Sequence, residues 1–304
     1  MAANYTPKPT PVWTIGSLLT WTTTFFTGKA VDEPRLSAEL LLAHALKCSR
    51  MSLYTQYERI PPEQELAAFR ELVKQRANHV PVAYLIGKAW FFSLEFTVNR
   101  EVLIPRADTE TLVEFVIQHA RQRTDWSAPG TPAILDLCTG SGAIPITLAK
   151  RLPLAALTAT DISEKALAIA RENAELHKVS DRIAFLQGDL FAPLEAMAAP
   201  TLFHVIAANP PYIPTAELPN LPPTIREHEP RIALDGGLDG MDFHRRIVAE
   251  ARRYLHPGGL LMMEMQFDQG PALQAVCAAA GYLTNIRIIR DAAAHPRCVV
   301  ATRE

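Results

Sequence analysis

The chain has 304 residues, 48% of them hydrophobic and 20% charged, which is ample for a sizeable core and suggests one large and one small domain. A formal net charge of −2 and a pI near 6.5 leave no basic surplus for duplex nucleic acid, so no stable nucleic-acid binding is expected. Four scattered cysteines without a C-x-x-C pair argue against a disulfide framework, residues 1–9 lack the pattern of a secretory signal, and no apolar run approaches the roughly 18 residues of a membrane helix; a soluble, cytoplasmic protein with no membrane partner is expected.

The first 80 residues read as a small helical domain. Asp32-Glu33-Pro34 opens one helix, with Asp32 as its cap, Pro34 in its first turn and Leu36, Leu40, Leu41 and Ala45 as its apolar face. Pro61-Pro62 opens another, with Leu66, Phe69, Leu72 and Val73 at helical spacing. Residues 81–105 read as a β-hairpin linker: Trp90-Phe91-Phe92 and Phe96-Thr97-Val98 are strand-prone, with a turn around Ser93-Leu94-Glu95. Trp90, Phe91 and Phe92 suit a hairpin core better than a pocket wall. Residues 106–304 form the third region. Asp108 can cap a helix that Glu110 favours at its start, and 124–130 is a loop.

From Ala133 short apolar strands alternate with amphipathic helices. Strands are expected at 133–138, 156–160, 182–187, 203–208, 260–265, 283–289 and 297–302, and helices at 143–151, 163–177, 241–255 and 268–280. This is the pattern of a parallel sheet with helices on both faces, whose last strand enters antiparallel because no helix precedes it. Met262, Met263 and Met265 belong to its core. The irregular, proline-rich stretch 213–240 has the length of a functional lid. In it Arg226, Glu227, Glu229 and Arg231 suit a solvated face or a contact with a protein substrate equally well.

Three constellations carry chemistry. In Asp136-Leu137-Cys138-Thr139-Gly140-Ser141-Gly142 a buried strand runs into a glycine turn that opens a helix, so the backbone can approach a ligand closely. Alone, the same geometry also serves dinucleotides or a plain sharp corner. Asp161, about 20 residues further on, suits the hydroxyls of a ribose; its alternative, a helix cap, is a role Ser163 can fill. Asp189 ends the third strand, where it could face an adenine edge or simply solvent. Asn209-Pro210-Pro211-Tyr212 follows a buried strand at its carboxyl end. An amide or amino nitrogen is planar and a poor nucleophile. The Asn209 side-chain oxygen and the Pro210 carbonyl can each accept one of its N–H groups, the prolines stiffen the loop, and Tyr212 can lie against the planar group. The histidines show no metal-ligand spacing, and no metal site is expected.

The glycine turn paired with Asn209-Pro210-Pro211-Tyr212 looks like the class I amino-methyltransferases. Ile104-Pro105-Arg106-Ala107-Asp108-Thr109-Glu110 and the run from Arg226 to Gly240 resemble, more narrowly, the HemK-type (PrmC-like) glutamine methyltransferases, which modify peptide chain release factors. The resemblance covers nearly the whole chain. It implies an α/β, Rossmann-like catalytic domain with a seven-stranded sheet and an antiparallel last strand, plus a small helical N-terminal domain for substrate recognition. It also implies S-adenosyl-L-methionine as methyl donor and N5-methylglutamine, in a Gly-Gly-Gln loop of a release factor, as product. On the same footing Cys138, Thr139, Gly140, Ser141 and Gly142 form the methionine-side loop, Asp161 binds ribose, and Asp189 and Leu190 flank the adenine. Asn209, Pro210, Pro211 and Tyr212 hold the glutamine amide; Asn209 also borders the donor, and Asn209, Pro210 and Tyr212 carry the catalysis. Leu190 stands where members often have a tryptophan. Cys138 replaces a glycine of the commonest loop, which is tolerated if that position needs no positive φ. The rivals are a ribosomal-protein glutamine methyltransferase, a DNA adenine N6-methyltransferase lacking its usual basic region, an NAD-dependent oxidoreductase that leaves Asn209 to Tyr212 without a task, and a non-catalytic binding module.

Overall fold

The computed structural model describes residues 13–123, 126, 131–196 and 202–304. Residues 1–9, and all of the expected loop at 124–130 except Trp126, lie outside them. The chain divides into two compact units, Met1–Ile86 and Gly87–Glu304.

The first unit holds α1 (Ile15–Gly28), α2 (Pro34–Ala45), α3 (Arg50–Thr55), α4 (Glu63–Ala77) and α5 (Val82–Ile86). It ends at Ile86 rather than at residue 80 because the short helix α5 packs with α2 and α4. Thr14 caps α1 through Ser17 N, and α4 carries Glu63 and Glu65 in its first turn and Lys74 and Arg76 in its last, matching the helix dipole. Asp32 does not cap α2. Its carboxylate accepts from the buried Arg76 guanidinium, and Glu33 holds the cap position in a left-handed conformation. The inner face of α2 is Ala38, Leu41 and Leu42, with Leu36 and Leu40 only half-buried.

In the second unit β1 (Lys88–Phe91) and β2 (Leu94–Thr97) form an antiparallel hairpin. Its turn is Phe92-Ser93, both at positive φ (51° and 63°), one residue earlier than expected; a two-residue turn of this hand matches strand twist. The hairpin is part of this unit and not a free linker. Asn173 accepts from Thr97 N at 2.7 Å and donates to Thr97 O at 3.0 Å. Then follow α6 (Glu110–Gln122), β3 (Ala133–Leu137), α7 (Ala143–Arg151), β4 (Ala156–Asp161), α8 (Glu164–Leu176), β5 (Ile183–Gln187), β6 (Phe203–Ala208), α9 (Pro223–Arg226), α10 (Asp242–Ala251), β7 (Leu255–Glu264), α11 (Gly270–Ala279), β8 (Leu283–Arg290) and β9 (Pro296–Arg303). Asp108 lies in a 3₁₀ turn before α6 and pairs with Arg297 instead of capping that helix.

The sheet runs β5-β4-β3-β6-β7-β9-β8. The five strands β3 to β7 are parallel, and β9 enters antiparallel between β7 and β8. Leu135, Leu137, Ile206, Leu261 and Met263 share the core beside it, and Met262 and Met265 are equally buried. Among the described residues no helix is long and apolar enough to cross a membrane.

Candidate active site

The chain moves outward from β3 in one direction through β4 and β5, then returns to the other side of β3 with β6. This reversal opens a crevice at the strands' carboxyl ends. Register fixes what meets there. Leu137 pairs with both Thr160 and Ala208, and Asp161 pairs with Gln187. The residues that follow, Cys138, Asp161, the 188–190 turn and Asn209, therefore line up along one edge.

The glycine turn is cross-braced from below. Gly140 N donates to Asp161 Oδ2 at 2.8 Å, and Ser163 N donates to Asp161 Oδ1 at 2.9 Å. Ser163 caps α8 through Ala166 N. Asp161 thus shapes the turn while keeping lone pairs for a ligand, and burial raises its pKa above the ordinary carboxyl value despite the backbone donors. Gly142 has φ 81°, and a Cβ there would come within 2.9 Å of Ile146 and 3.1 Å of Ala170, so this glycine lets α7 and α8 pack closely. Cys138 has φ 60°: the position does require a left-handed backbone, and the non-glycine residue carries that strain. Directly beneath, Asp136 is fully buried, and neither of its carboxylate oxygens nor the Thr139 hydroxyl has a hydrogen-bond partner among the described residues. Burial pushes the Asp136 carboxyl up to about 8, against the adjacent Thr139 hydroxyl, which favours the charged form, and with a smaller push from the nearby Asp161.

On the other side Asn209 Nδ2 donates to Thr109 Oγ1 at 3.2 Å, and Tyr212 OH donates to Glu264 Oε1 at 3.2 Å. The stretch 213–240 braces this loop. Ile213 N donates to Leu234 O, Gly236 N to Ile213 O, and a Cβ on Gly236 would lie 2.7 Å from Tyr212 Cα. Glu229 is not a solvated lid residue. It is buried, pairs with Arg106, and accepts from Ile104 N at 3.2 Å.

Between these walls lies a cavity of ≈ 380 Å³, within the range of small-molecule sites. Cys138, Thr139, Gly140, Ser141, Asp161, Asp189, Leu190, Asn209 and Pro211 all line it. Gly142, Pro210 and Tyr212 support the walls without lining them. Asp189 meets Arg246 Nη2 at 2.6 Å, and Leu190 is a buried apolar surface at positive φ (49°).

The PrmC N-terminal domain family matches residues 17–87, and the methyltransferase domain family matches residues 131–288. The release factor glutamine methyltransferase of Rhodopirellula baltica is 43% identical over 96% of this chain and 97% of its own length. That of Geobacter sulfurreducens is 42% identical over 91% and 92%. The chain belongs to the release factor glutamine methyltransferase family. The hMettl16 catalytic domain in complex with MAT2A 3'UTR hairpin 6, at 14% identity and a TM-score of 0.53 over 69% of this chain and 76% of that one, shares the sheet fold alone.

Four residues lining this methyltransferase's site, Arg106, Thr109, Phe243 and Arg246, carry no site role in the sequence reading. Phe91 packs edge-on against Phe96 in the hairpin core, as its sequence suggests, and also lines the cavity. Glu264 closes the site from β7, where Met263 pairs with Ala208. The signal for Glu264 was present: a charge ending an otherwise apolar strand that runs beside the Asn209 strand.

Proposed function

We propose that this methyltransferase transfers a methyl group from S-adenosylmethionine to the side-chain amide nitrogen of a glutamine in a Gly-Gly-Gln loop of a peptide chain release factor. The observation that carries the reading is the register that brings Asn209 beside Cys138 and Asp161 at one crevice. The cavity suits the donor. The buried Asp136 carboxyl lies beneath the glycine turn beside the cavity-lining Thr139, where a cationic methionine end would be favoured, and Leu190 supplies apolar surface for a base.

When bound, S-adenosylmethionine supplies an electrophilic methyl group. Asp161 offers charged acceptors to two ribose hydroxyls. Asn209 Oδ1 and the Pro210 carbonyl accept the two N–H groups of the substrate amide and aim its nitrogen at the donor. The prolines keep those acceptors in place, so little reorganisation is needed at transfer. Release factors as substrate are supported by family membership and by a near-neutral charge that offers no cationic track for a flipped base. Calorimetry with S-adenosylhomocysteine and NAD tests the donor. Binding of the first alone is expected, and binding of NAD alone would refute the assignment.

A further inference from the structure

We infer that Glu264 is a positioning residue: acting through Thr109, its carboxylate sets which way the Asn209 amide faces. The inference rests on the reading of Asn209 as the holder of the substrate amide. Glu264 is 1% exposed and ends β7 beside the strand that carries Asn209. Its Oε1 accepts from Tyr212, and its Oε2 is buried with no hydrogen bond among the described residues. The Thr109 hydroxyl lies close enough to favour the charged form of this carboxylate, and the same hydroxyl accepts from Asn209 Nδ2.

A hydroxyl has one hydrogen to give. With that hydrogen turned toward an ionised Glu264, Thr109 can only accept from Asn209. Nδ2 must then face Thr109, and Oδ1 is left for the substrate N–H. A protonated Glu264 removes this constraint: it can donate to Thr109, the Thr109 hydrogen is then free to turn to Asn209, and the amide can offer the cavity an N–H where the substrate needs an acceptor. The groups facing Glu264 are Asp108 from before α6, Tyr212 from the acceptor loop, Arg297 and Cys298 from β9, and His244 from α10, whose Nε2 meets the Glu264 carbonyl at 2.7 Å. Burial dominates among these influences and lifts the carboxyl to about 7, so the working polarity should fade on the acid side of neutrality.

The test is single-turnover methylation of a purified release factor at saturating S-adenosylmethionine, followed from mildly acid to mildly alkaline pH. Glu264→Gln should slow transfer roughly tenfold to a hundredfold and abolish the acid limb, while S-adenosylhomocysteine affinity stays within about twofold. Thr109→Val should do the same, and Thr109→Ser should recover most of the loss. A Glu264→Gln protein with the wild-type rate and pH profile overturns the inference, and so does a loss of rate matched by a loss of donor affinity. If Glu264→Gln does not fold, an unchanged rate in Thr109→Val has the same force. A wild-type chain that binds donor but leaves the release factor unmethylated removes the reading of Asn209 and the inference with it; an active wild type with indifferent variants removes the inference alone.

Discussion

The buried Asp136 carboxyl makes the stability of the folded chain depend on pH. Burial pushes the carboxyl up to about 8 in the folded chain, against about 4 when unfolded. Between those values the native state alone holds the proton, so stability falls as pH rises and levels off above pH 8. Asp136→Asn should remove that slope and raise stability at neutral pH by roughly 2–4 kcal/mol, read from urea unfolding on both sides of neutrality. The same variant should bind S-adenosylhomocysteine more weakly; equal affinity would detach Asp136 from the donor. Asp161→Ala leaves the ribose hydroxyls and two backbone donors short of a charged acceptor and should weaken donor binding by roughly 1–3 kcal/mol. Asn209→Ala should leave donor affinity nearly intact and slow single-turnover transfer roughly a hundredfold, since it removes positioning and polar stabilisation of the acceptor nitrogen.

At the scale of elements, the contact to probe is the one that ties the 213–240 stretch to the segment before α6. Glu229→Ala strands the Arg106 guanidinium and the Ile104 N–H, and should lower stability by roughly 2–4 kcal/mol while speeding proteolytic cleavage within 213–240. Cleavage and unfolding at wild-type levels would show the pair to be incidental. The strands and helices around these contacts were legible because their apolar periodicity is strong, and register then carried Cys138, Asp161 and Asn209 to one edge. Glu229 was not legible, because nothing local separates a buried charge in a proline-rich stretch from a solvated one. Asp32 and Asp108 both had the chemistry of caps, yet each found an arginine distant in sequence. At Cys138 the backbone conformation was set by the turn and not by the residue, so a non-glycine side chain concealed a positive φ.

At the scale of the whole molecule, one glutamine side chain offers little binding area, and a protein substrate needs a second contact surface. We propose that the first unit supplies it. It has its own core around Leu19, Leu41 and Phe69, and none of the described cavity residues comes from it. A chain lacking residues 1–86, verified by S-adenosylhomocysteine binding, should show a much higher KM for an intact release factor and little change for a short Gly-Gly-Gln peptide. Equal effects on both would refute the docking role. The substrate is decided by incubating the purified protein with S-adenosylmethionine and a mixture of release factor, ribosomal proteins and duplex DNA, then mapping the products by peptide and nucleoside mass spectrometry. A single methyl group on the glutamine of the Gly-Gly-Gln loop, absent with Asn209→Ala, is the predicted result; methylation of a ribosomal protein or of adenine in preference to that glutamine would contradict it.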